Sequence, residues 1–255
     1  MPLIQLEEGR LEYRTIEAGS KDRPALVFLH HGVGSVGLWR DFPERLCRML
    51  DCRGLIYSRL GHGKSDPAEW PRPVSFLEDQ GRHTLPALLA ALGFDDVVLV
   101  GHSEGATIAL VYAGTVRRGV RGVVAEAPHL YNEAQHTRMI GETRAAFRNT
   151  PLRDRLRRHH GNNVDSMFNA WAETWLQAGF QTWSVEHTIA GIECPVLAIR
   201  GTRDQYGTIA QVDRLRALAR CPLEVRIIEA GHDPHEEMPE QMLVMMSEFI
   251  RGLPN

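Results

Sequence analysis

Short apolar runs rich in Val, Ile and Leu recur along the chain, and segments with helical spacing separate them. The clearest runs lie at 25–29, 54–57, 96–100, 119–125, 195–199 and 223–228. Each run is too short for a helix and too apolar for a half-exposed strand, so each predicts a strand that is buried on both faces. Ahead of them, the sequence around Glu8-Gly9-Arg10 predicts an antiparallel hairpin that opens the sheet.

Helical spacing of apolar positions predicts helices between these strands. The predicted helices cover 42–50, 76–92, 104–114, 209–219 and 237–250. Pro86 interrupts the second of them, and we expect a kink or a break there because proline lacks an N–H and collides with the preceding turn. The alternation of strands and helices predicts an α/β fold with a mostly parallel, doubly wound sheet.

One long segment, 130–189, breaks this alternation. It contains no convincing strand, has helical spacing over 163–176, and holds seven of the 18 aromatic residues of the chain. A connection of that length inside a compact domain is usually a functional insertion. We therefore predict a core formed by 1–129 and 190–255, interrupted by a helical cap at 130–189 with an aromatic underside.

A stripe of large apolar residues marks the predicted cap. Its members follow the spacing i, i+3, i+4, i+7 and are Val164, Met167, Phe168, Trp171 and Trp175. Packing of the cap on the core explains most of such a stripe, while Trp171 and Trp175 are also candidates for direct contact with a substrate. A cluster of arginines at 153–158 reads as a solvated helix face.

Composition and charge exclude several classes of protein. The formal net charge of -3 and the pI near 6.5 leave no basic field that would hold nucleic acid or an anionic membrane. The first residues include two acids by position 8, and no later stretch reaches the roughly 18 apolar residues that a membrane helix needs. We expect a soluble, cytoplasmic protein whose partner is a small-molecule substrate. The four cysteines form no CxxC pair.

The strongest chemical signal is Gly101-His102-Ser103-Glu104-Gly105. As a bare pattern G-x-S-x-G is weak, but here a predicted strand stands directly before it and a predicted helix directly after it. That context is what a nucleophile elbow needs, because a tight turn must hold the serine hydroxyl exposed. The two glycines lack the Cβ atoms that would keep strand and helix apart. Ser103 is therefore the predicted nucleophile.

A serine hydroxyl needs a base within hydrogen-bond reach and an acid that orients the base. Asp204 follows the predicted strand at 195–199, and His232 follows the one at 223–228. Both residues should leave the carboxyl edge of the sheet that also presents Ser103. The chain order Ser, Asp, His is the one expected for a nucleophile elbow of this kind.

Alternatives remain for two of these roles. His235 is an alternative base, although His232 is favoured because it directly follows Gly231 at the end of a strand. Glu126, at the end of another predicted strand, is an alternative acid. The twelve histidines show no HExxH or Cys/His spacing, so we expect no metal and no other cofactor.

Five segments of the chain resemble the α/β-hydrolase superfamily, and together they span nearly all of it outside the predicted cap. They are HHGVGS, RLGHGKSD, GHSEG, GTRD and AGHDPHEEMPE. The resemblance implies that Ser103 is the nucleophile, Asp204 the orienting acid and His232 the general base, and that a cap lies over the active site. The chain departs from many relatives at Ser58-Arg59-Leu60-Gly61, where they have an aspartate before the arginine and glycine. We expect that difference to affect loop packing rather than catalysis.

A tetrahedral intermediate also needs hydrogen-bond donors for its oxyanion. The backbone N–H of Glu104 is one predicted donor. The loop at His30-His31-Gly32-Val33-Gly34 should supply the other, from Val33, with Gly34 as the alternative. The carboxylate of Glu104 is expected to act only as a first-turn acid that the helix dipole favours.

The sequence thus predicts a serine hydrolase that cleaves a small, fairly apolar ester, thioester or lactone through an acyl-enzyme. One alternative is hydrolysis of a carbon-carbon bond in a ring-cleavage diketone, as in the meta-cleavage product hydrolases. Those relatives usually have asparagine where His102 stands, which favours the ester. A second alternative is a small-ligand receptor of the same fold without catalytic activity.

Overall fold

The computed structural model describes residues 1–254. Their strands form a single eight-stranded sheet in the order β1-β2-β4-β3-β5-β6-β7-β8. β1 and β2 pair antiparallel as the predicted hairpin, β2 pairs antiparallel with β4, and all later neighbours are parallel. The strands are β1 Leu3–Leu6, β2 Gly9–Ile16, β3 Ala25–Leu29, β4 Gly54–Tyr57, β5 Val97–His102, β6 Val120–Glu126, β7 Val196–Gly201 and β8 Leu223–Ile228.

Helices cover both faces of this sheet, which confirms the predicted α/β fold class. The α-helices are α1 Phe42–Leu50, α2 Phe76–Asp79, α3 Leu85–Leu92, α4 Glu104–Thr115, α5 Ala134–Asn149, α6 Leu152–His160, α7 Val164–Leu176, α8 Glu186–Ile189, α9 Ala210–Leu218, α10 Pro234–Glu237 and α11 Pro239–Arg251. Within residues 1–254, none of these helices combines the length and the apolar character that a membrane crossing requires.

The hydrophobic core lies on both sides of the sheet, as the continuous apolar runs predict. Along β5, Val97 and Leu99 belong to one buried cluster, and Val98 and Val100 belong to the cluster on the opposite face. This split follows from the alternation of side chains along a strand. The prediction of burial on both faces is wrong for β8, where Arg226 and Ile227 are exposed. β8 is one of the two edge strands, so it has a neighbour on one side only.

Two of the predicted helices are irregular next to a proline, at positions that apolar spacing alone does not predict. The predicted helix at 76–92 contains a π-helical turn at Gln80–Thr84, after which α3 begins with Pro86 in its first turn. The helix is not broken there: its backbone stays helical, and the π-helical turn lies just before the proline, which has no N–H to donate to the preceding turn. The predicted helix at 237–250 is divided at Met238, since the residue before Pro239 disfavours helical backbone angles.

Helices α5 to α8 occupy the long connection between β6 and β7. The apolar stripe of α7 is buried along its whole length. Phe147 of α5 stacks on Phe168 of α7, with ring centroids 3.8 Å apart. Polar bonds tie these helices to the rest of the chain: the Asn163 amide donates to the carbonyl of Ser65 at 2.7 Å, and Thr174 accepts the N–H of Arg72 at 2.9 Å.

Glycine at two helical positions allows a matched test of this packing. A Cβ at Gly114 in α4 would lie 2.1 Å from the Thr188 carbonyl oxygen at α8, whereas a Cβ at Gly141 in α5 would meet nothing within 4 Å. We expect Gly114→Ala to lower the free energy of unfolding by about 1–3 kcal/mol through overpacking. Gly141→Ala should raise it by about 0.5–1 kcal/mol through helix propensity. Urea unfolding of the two variants measures both, and an unaffected Gly114→Ala would contradict the close approach of α4 and α8.

Candidate active site

Ser103 stands at a sharp turn between β5 and α4. Its backbone has φ 54° and ψ −117°, a conformation that a residue with a side chain rarely adopts. The Ser103 N–H donates to the carbonyl of Glu126 at 2.8 Å. A Cβ on Gly101 would lie 2.4 Å from the Gly105 carbonyl oxygen, and one on Gly105 would lie 2.0 Å from that of Leu29. The pattern of glycines therefore follows from the close contact of strand, turn and helix.

The structure brings the three predicted triad residues together. His232 Nε2 lies 3.0 Å from the hydroxyl oxygen of Ser103, and His232 Nδ1 lies 2.9 Å from Asp204 Oδ1. All three residues are at most 7% exposed. Because the carboxylate can only accept, Nδ1 carries the proton of a neutral His232, and Nε2 is free to accept the hydrogen of Ser103. This is the arrangement in which a serine can be deprotonated by its neighbour.

Asp204 is held by a full set of donors. Besides His232, its Oδ1 accepts the backbone N–H groups of Tyr206 at 2.8 Å and Gly207 at 3.2 Å. Its Oδ2 accepts Arg200 Nη1 at 2.6 Å, and the Arg200 side chain is fully buried. Burial alone would raise the pKa of Asp204, but His232, Arg200 and the Tyr206 N–H together lower that pKa below its ordinary value. Asp204 is therefore ionised.

The alternative base and the alternative acid bind each other. Glu126 Oε1 accepts both the backbone N–H and Nδ1–H of His235, each at 2.9 Å. Burial would lower the pKa of His235, but the charge and hydrogen bond of Glu126 raise it. Burial would likewise raise the pKa of Glu126, and His235 lowers it. The two form a separate buried ion pair, which leaves Asp204 as the carboxylate that contacts His232.

His102 lies beside this ion pair, and the three side chains could geometrically hold a cation. One ligand atom each of His102, Glu126 and His235 lies within 4.8 Å of the others. However, His102 Nε2 donates to the carbonyl of His232 at 2.8 Å, and the charge of Glu126 is already balanced by His235. Glu126 and His102 Nε2 are thus engaged in bonds within the protein, whereas His102 Nδ1 is buried with no hydrogen-bond partner among the described residues.

Arg59 and Glu104 form a second buried ion pair, directly beneath the nucleophile turn. Arg59 Nη2 donates to Glu104 Oε2 at 2.6 Å, and both side chains are 2% exposed. Trp175 of α7 donates its indole N–H to Glu104 Oε1, also at 2.6 Å. Arg59 further donates to the carbonyls of His30 at 2.5 Å and His31 at 3.0 Å. The pair therefore joins the turn, the loop after β3 and the helical segment.

Sequence reasoning missed this pairing. Glu104 does lie in the first turn of α4, as expected, but its carboxylate is buried with Arg59 rather than simply placed at the helix dipole. Arg59, in the segment Ser58-Arg59-Leu60-Gly61, contacts both the loop after β3 and a residue of the nucleophile turn. The signal that could have indicated it is Glu104 at the start of an otherwise apolar predicted helix, because such charges are rarely buried unless paired.

The loop after β3 presents the predicted oxyanion donors. The N–H of Gly34 is engaged with the carbonyl of His31 at 3.0 Å. Within the described residues, no acceptor is recorded for the N–H groups of Val33 and Glu104, and both residues line the cavity next to Ser103. The carbonyl of Val33 accepts His160 Nε2 of α6 at 3.0 Å, which fixes the loop. The geometry thus favours Val33 over Gly34 as the donor.

A small cavity of about 170 Å³ opens at Ser103. Its wall includes Trp171 and His136. Among the described residues, 1–254, no lysine or arginine lines it. Trp175 lies outside this wall, because its indole is turned to Glu104. His136, which sequence reasoning did not single out, has its pKa lowered to about 3 by burial and by the proximity of His232 and Arg200. It is therefore a neutral group in the wall.

Comparison with known proteins identifies the class. The model of the alpha/beta hydrolase family matches residues 26–244, and the chain belongs to this family. Curated relatives include 3-oxoadipate enol-lactonase 1 of Acinetobacter baylyi, 23% identical over 92% of this chain and 91% of the relative. Another is 2-succinyl-6-hydroxy-2,4-cyclohexadiene-1-carboxylate synthase of Salmonella typhimurium, 28% identical over 91% and 96%.

Solved structures share the fold over nearly the whole chain. The enol-lactonase from Burkholderia xenovorans LB400 superposes with a TM-score of 0.77 at 16% identity, covering 98% of this chain and 100% of that one. An alpha/beta hydrolase enzyme from a Medee basin deep-sea metagenome library superposes with a TM-score of 0.78 at 17% identity, covering 100% and 98%.

The ion pair beneath the nucleophile turn can be tested by a double-mutant cycle. Glu104→Gln or Arg59→Met alone leaves one buried charge without its partner, and we expect each to cost about 3–5 kcal/mol of unfolding free energy. The double variant should recover a large part of that loss, because no lone charge remains. Urea unfolding supplies the coupling energy. The exposed pair Arg121 and Asp96 is the control, and an equally small coupling at both pairs would contradict the buried pairing.

Proposed function

We propose that the protein is a serine hydrolase that cleaves a small, fairly apolar carboxylic ester, thioester or lactone through an acyl-enzyme. The observation that carries the proposal is the chain of contacts from Ser103 through His232 to Asp204, with distances of 3.0 and 2.9 Å. Lactonase names among the curated relatives and solved structures support the choice of reaction.

The first half of the reaction transfers the acyl group to the enzyme. His232 Nε2 takes the proton of Ser103 as its hydroxyl oxygen attacks the substrate carbonyl, and the Asp204 carboxylate stabilises the imidazolium that forms. The backbone N–H groups of Val33 and Glu104 would bind the oxyanion of the tetrahedral intermediate. The imidazolium then protonates the leaving oxygen or sulfur, and the carbon-oxygen or carbon-sulfur bond breaks.

The second half releases the acid. A water molecule donates its proton to His232 Nε2 and attacks the acyl carbonyl, and the same backbone donors hold the second oxyanion. Collapse of that intermediate returns the proton to Ser103 and frees the carboxylic acid. Each proton therefore moves through one nitrogen atom of His232, and no group outside this chain is needed besides substrate and water.

We further propose that 130–189 acts as a cap on a core formed by 1–129 and 190–255. Two contacts support a role in shaping the site: His160 holds the carbonyl of Val33, and the Gln135 amide donates to the Asp204 carbonyl at 3.0 Å. Trp171 of this segment is the proposed wall of the substrate pocket. Trp175 would not contact the substrate and would affect the pocket only through its packing behind that wall.

Replacement of the nucleophile tests the reaction class. We expect Ser103→Ala to abolish turnover of p-nitrophenyl esters and lactones, leaving less than about 0.1% of the wild-type rate. A fluorophosphonate should label the wild-type protein and not the variant. A panel with dienone acids separates ester from carbon-carbon hydrolysis. If the wild type shows neither Ser103-dependent turnover nor labelling, the hydrolase proposal is wrong and a ligand receptor becomes the better explanation.

The choice of acid is tested by two amide variants. Asp204→Asn should lower kcat by roughly 10³–10⁴-fold, because it removes the charge that orients and stabilises His232. Glu126→Gln should keep activity within about tenfold of the wild type, since that residue binds His235 instead. Circular dichroism and urea unfolding of both variants serve as the control for folding. Near-normal activity of Asp204→Asn would move the role to Glu126.

A further inference from the structure

The charges around the cavity fall into balanced pairs with one exception. Asp204 is balanced by Arg200 at 2.6 Å, and Glu104 is balanced by Arg59 at the same distance. Both arginines are buried behind their acids and do not line the cavity. These two acids therefore present no net charge to a bound substrate.

Two imidazoles of the wall, those of His31 and His136, add no positive charge either. Burial, together with neighbouring histidines, holds the pKa of His31 well below its ordinary value. Burial also lowers the pKa of His136 to about 3. Both rings are thus neutral near physiological pH and offer hydrogen bonds rather than charge.

Asp233 is the exception. It lines the cavity, and its side chain remains 42% exposed. The partner recorded for its carboxylate is His102 Nε2 at 3.6 Å, but that nitrogen already donates to the carbonyl of His232, and burial lowers the pKa of His102 to about 4. The nearby charged His235 is balanced by Glu126. Asp233 therefore leaves a negative charge at the cavity, and no adjacent cation among residues 1–254 cancels it.

We propose that this cavity selects for substrates without a carboxylate, and that Asp233 is the residue that sets the selection. The inference rests on the proposed hydrolase function and narrows its substrate class to esters and lactones that carry no carboxylate. A substrate carboxylate would lose water in a wall without lysine or arginine and would also be repelled by Asp233. A substrate cation would lose water too, but Asp233 would attract it.

Matched pairs of methyl esters separate these effects. Monomethyl glutarate carries a carboxylate, and methyl 5-methylhexanoate is its neutral isostere. Methyl 4-(trimethylammonio)butanoate carries a cation, and methyl 5,5-dimethylhexanoate is its neutral isostere. Acid release in a pH-stat at low ionic strength gives kcat/KM for each. We expect the wild type to prefer methyl 5-methylhexanoate over monomethyl glutarate by at least about 100-fold.

Asp233→Asn then assigns the effect to its residue. In the variant, kcat/KM for monomethyl glutarate relative to its neutral isostere should rise by roughly 3- to 10-fold. The corresponding ratio for the cationic ester and its neutral isostere should fall. Glu229→Gln removes the same charge from an exposed position outside the cavity wall and should change neither ratio by more than about twofold. In the wild type, added salt should reproduce the direction of both shifts, independently of any substitution.

The outcomes distinguish this inference from the proposed function. Ser103-dependent turnover with monomethyl glutarate accepted as well as its neutral isostere would overturn the charge selection alone. Ratios unchanged both in Asp233→Asn and by added salt would overturn the role of Asp233. No Ser103-dependent turnover of any of the four esters or of the lactone panel, together with no fluorophosphonate labelling of Ser103, would overturn the hydrolase proposal, and the inference with it.

Discussion

The buried ion pair between Arg59 and Glu104 is the interaction on which the rest of the site depends. The carboxylate of Glu104 fixes the residue whose N–H is the proposed oxyanion donor, and Arg59 holds the carbonyls of His30 and His31 in the loop that carries the other donor. Trp175 of α7 donates its indole N–H to the same carboxylate and so links the helical segment to the ion pair. Because a lone charge in this interior would be costly, the three parts must come together as one unit.

The same constraint separates the other acids near the nucleophile. Asp204 is paired with Arg200, and Glu126 with His235. Each carboxylate keeps its charge in a buried setting because a cation or a proton donor stands against it. His232 is therefore left with a single acid as its partner. The alternative acid Glu126 and the alternative base His235 bind each other. Two pairs of an acid and a histidine can therefore lie close together without sharing a role.

Periodicity and chain order were sufficient for the fold and for the positions of Ser103, Asp204 and His232, since parallel strands bring their carboxyl ends to one edge. They could not decide which acid meets which histidine, because that depends on how the loops after neighbouring strands turn. Nor could spacing separate Trp171 from Trp175, which share one face of α7 and differ in what lies opposite. The exposed face of β8 depends on the order of strands in the sheet, which the apolar run alone does not contain.

The helical segment and the oxyanion loop are coupled more closely than a simple cover over a site would require. A Cβ at Gly32 would lie 2.2 Å from Trp171 Nε1, so any other residue at that position would have to displace the indole or the loop. One turn further along α7, Trp175 is bonded to Glu104, and His160 holds the carbonyl of Val33. A change in the aromatic wall would therefore also displace the backbone donors beside it. In the proposed hydrolase, substrate range and oxyanion geometry would therefore change together, because these three contacts involve both the aromatic wall and the loop with the proposed donor.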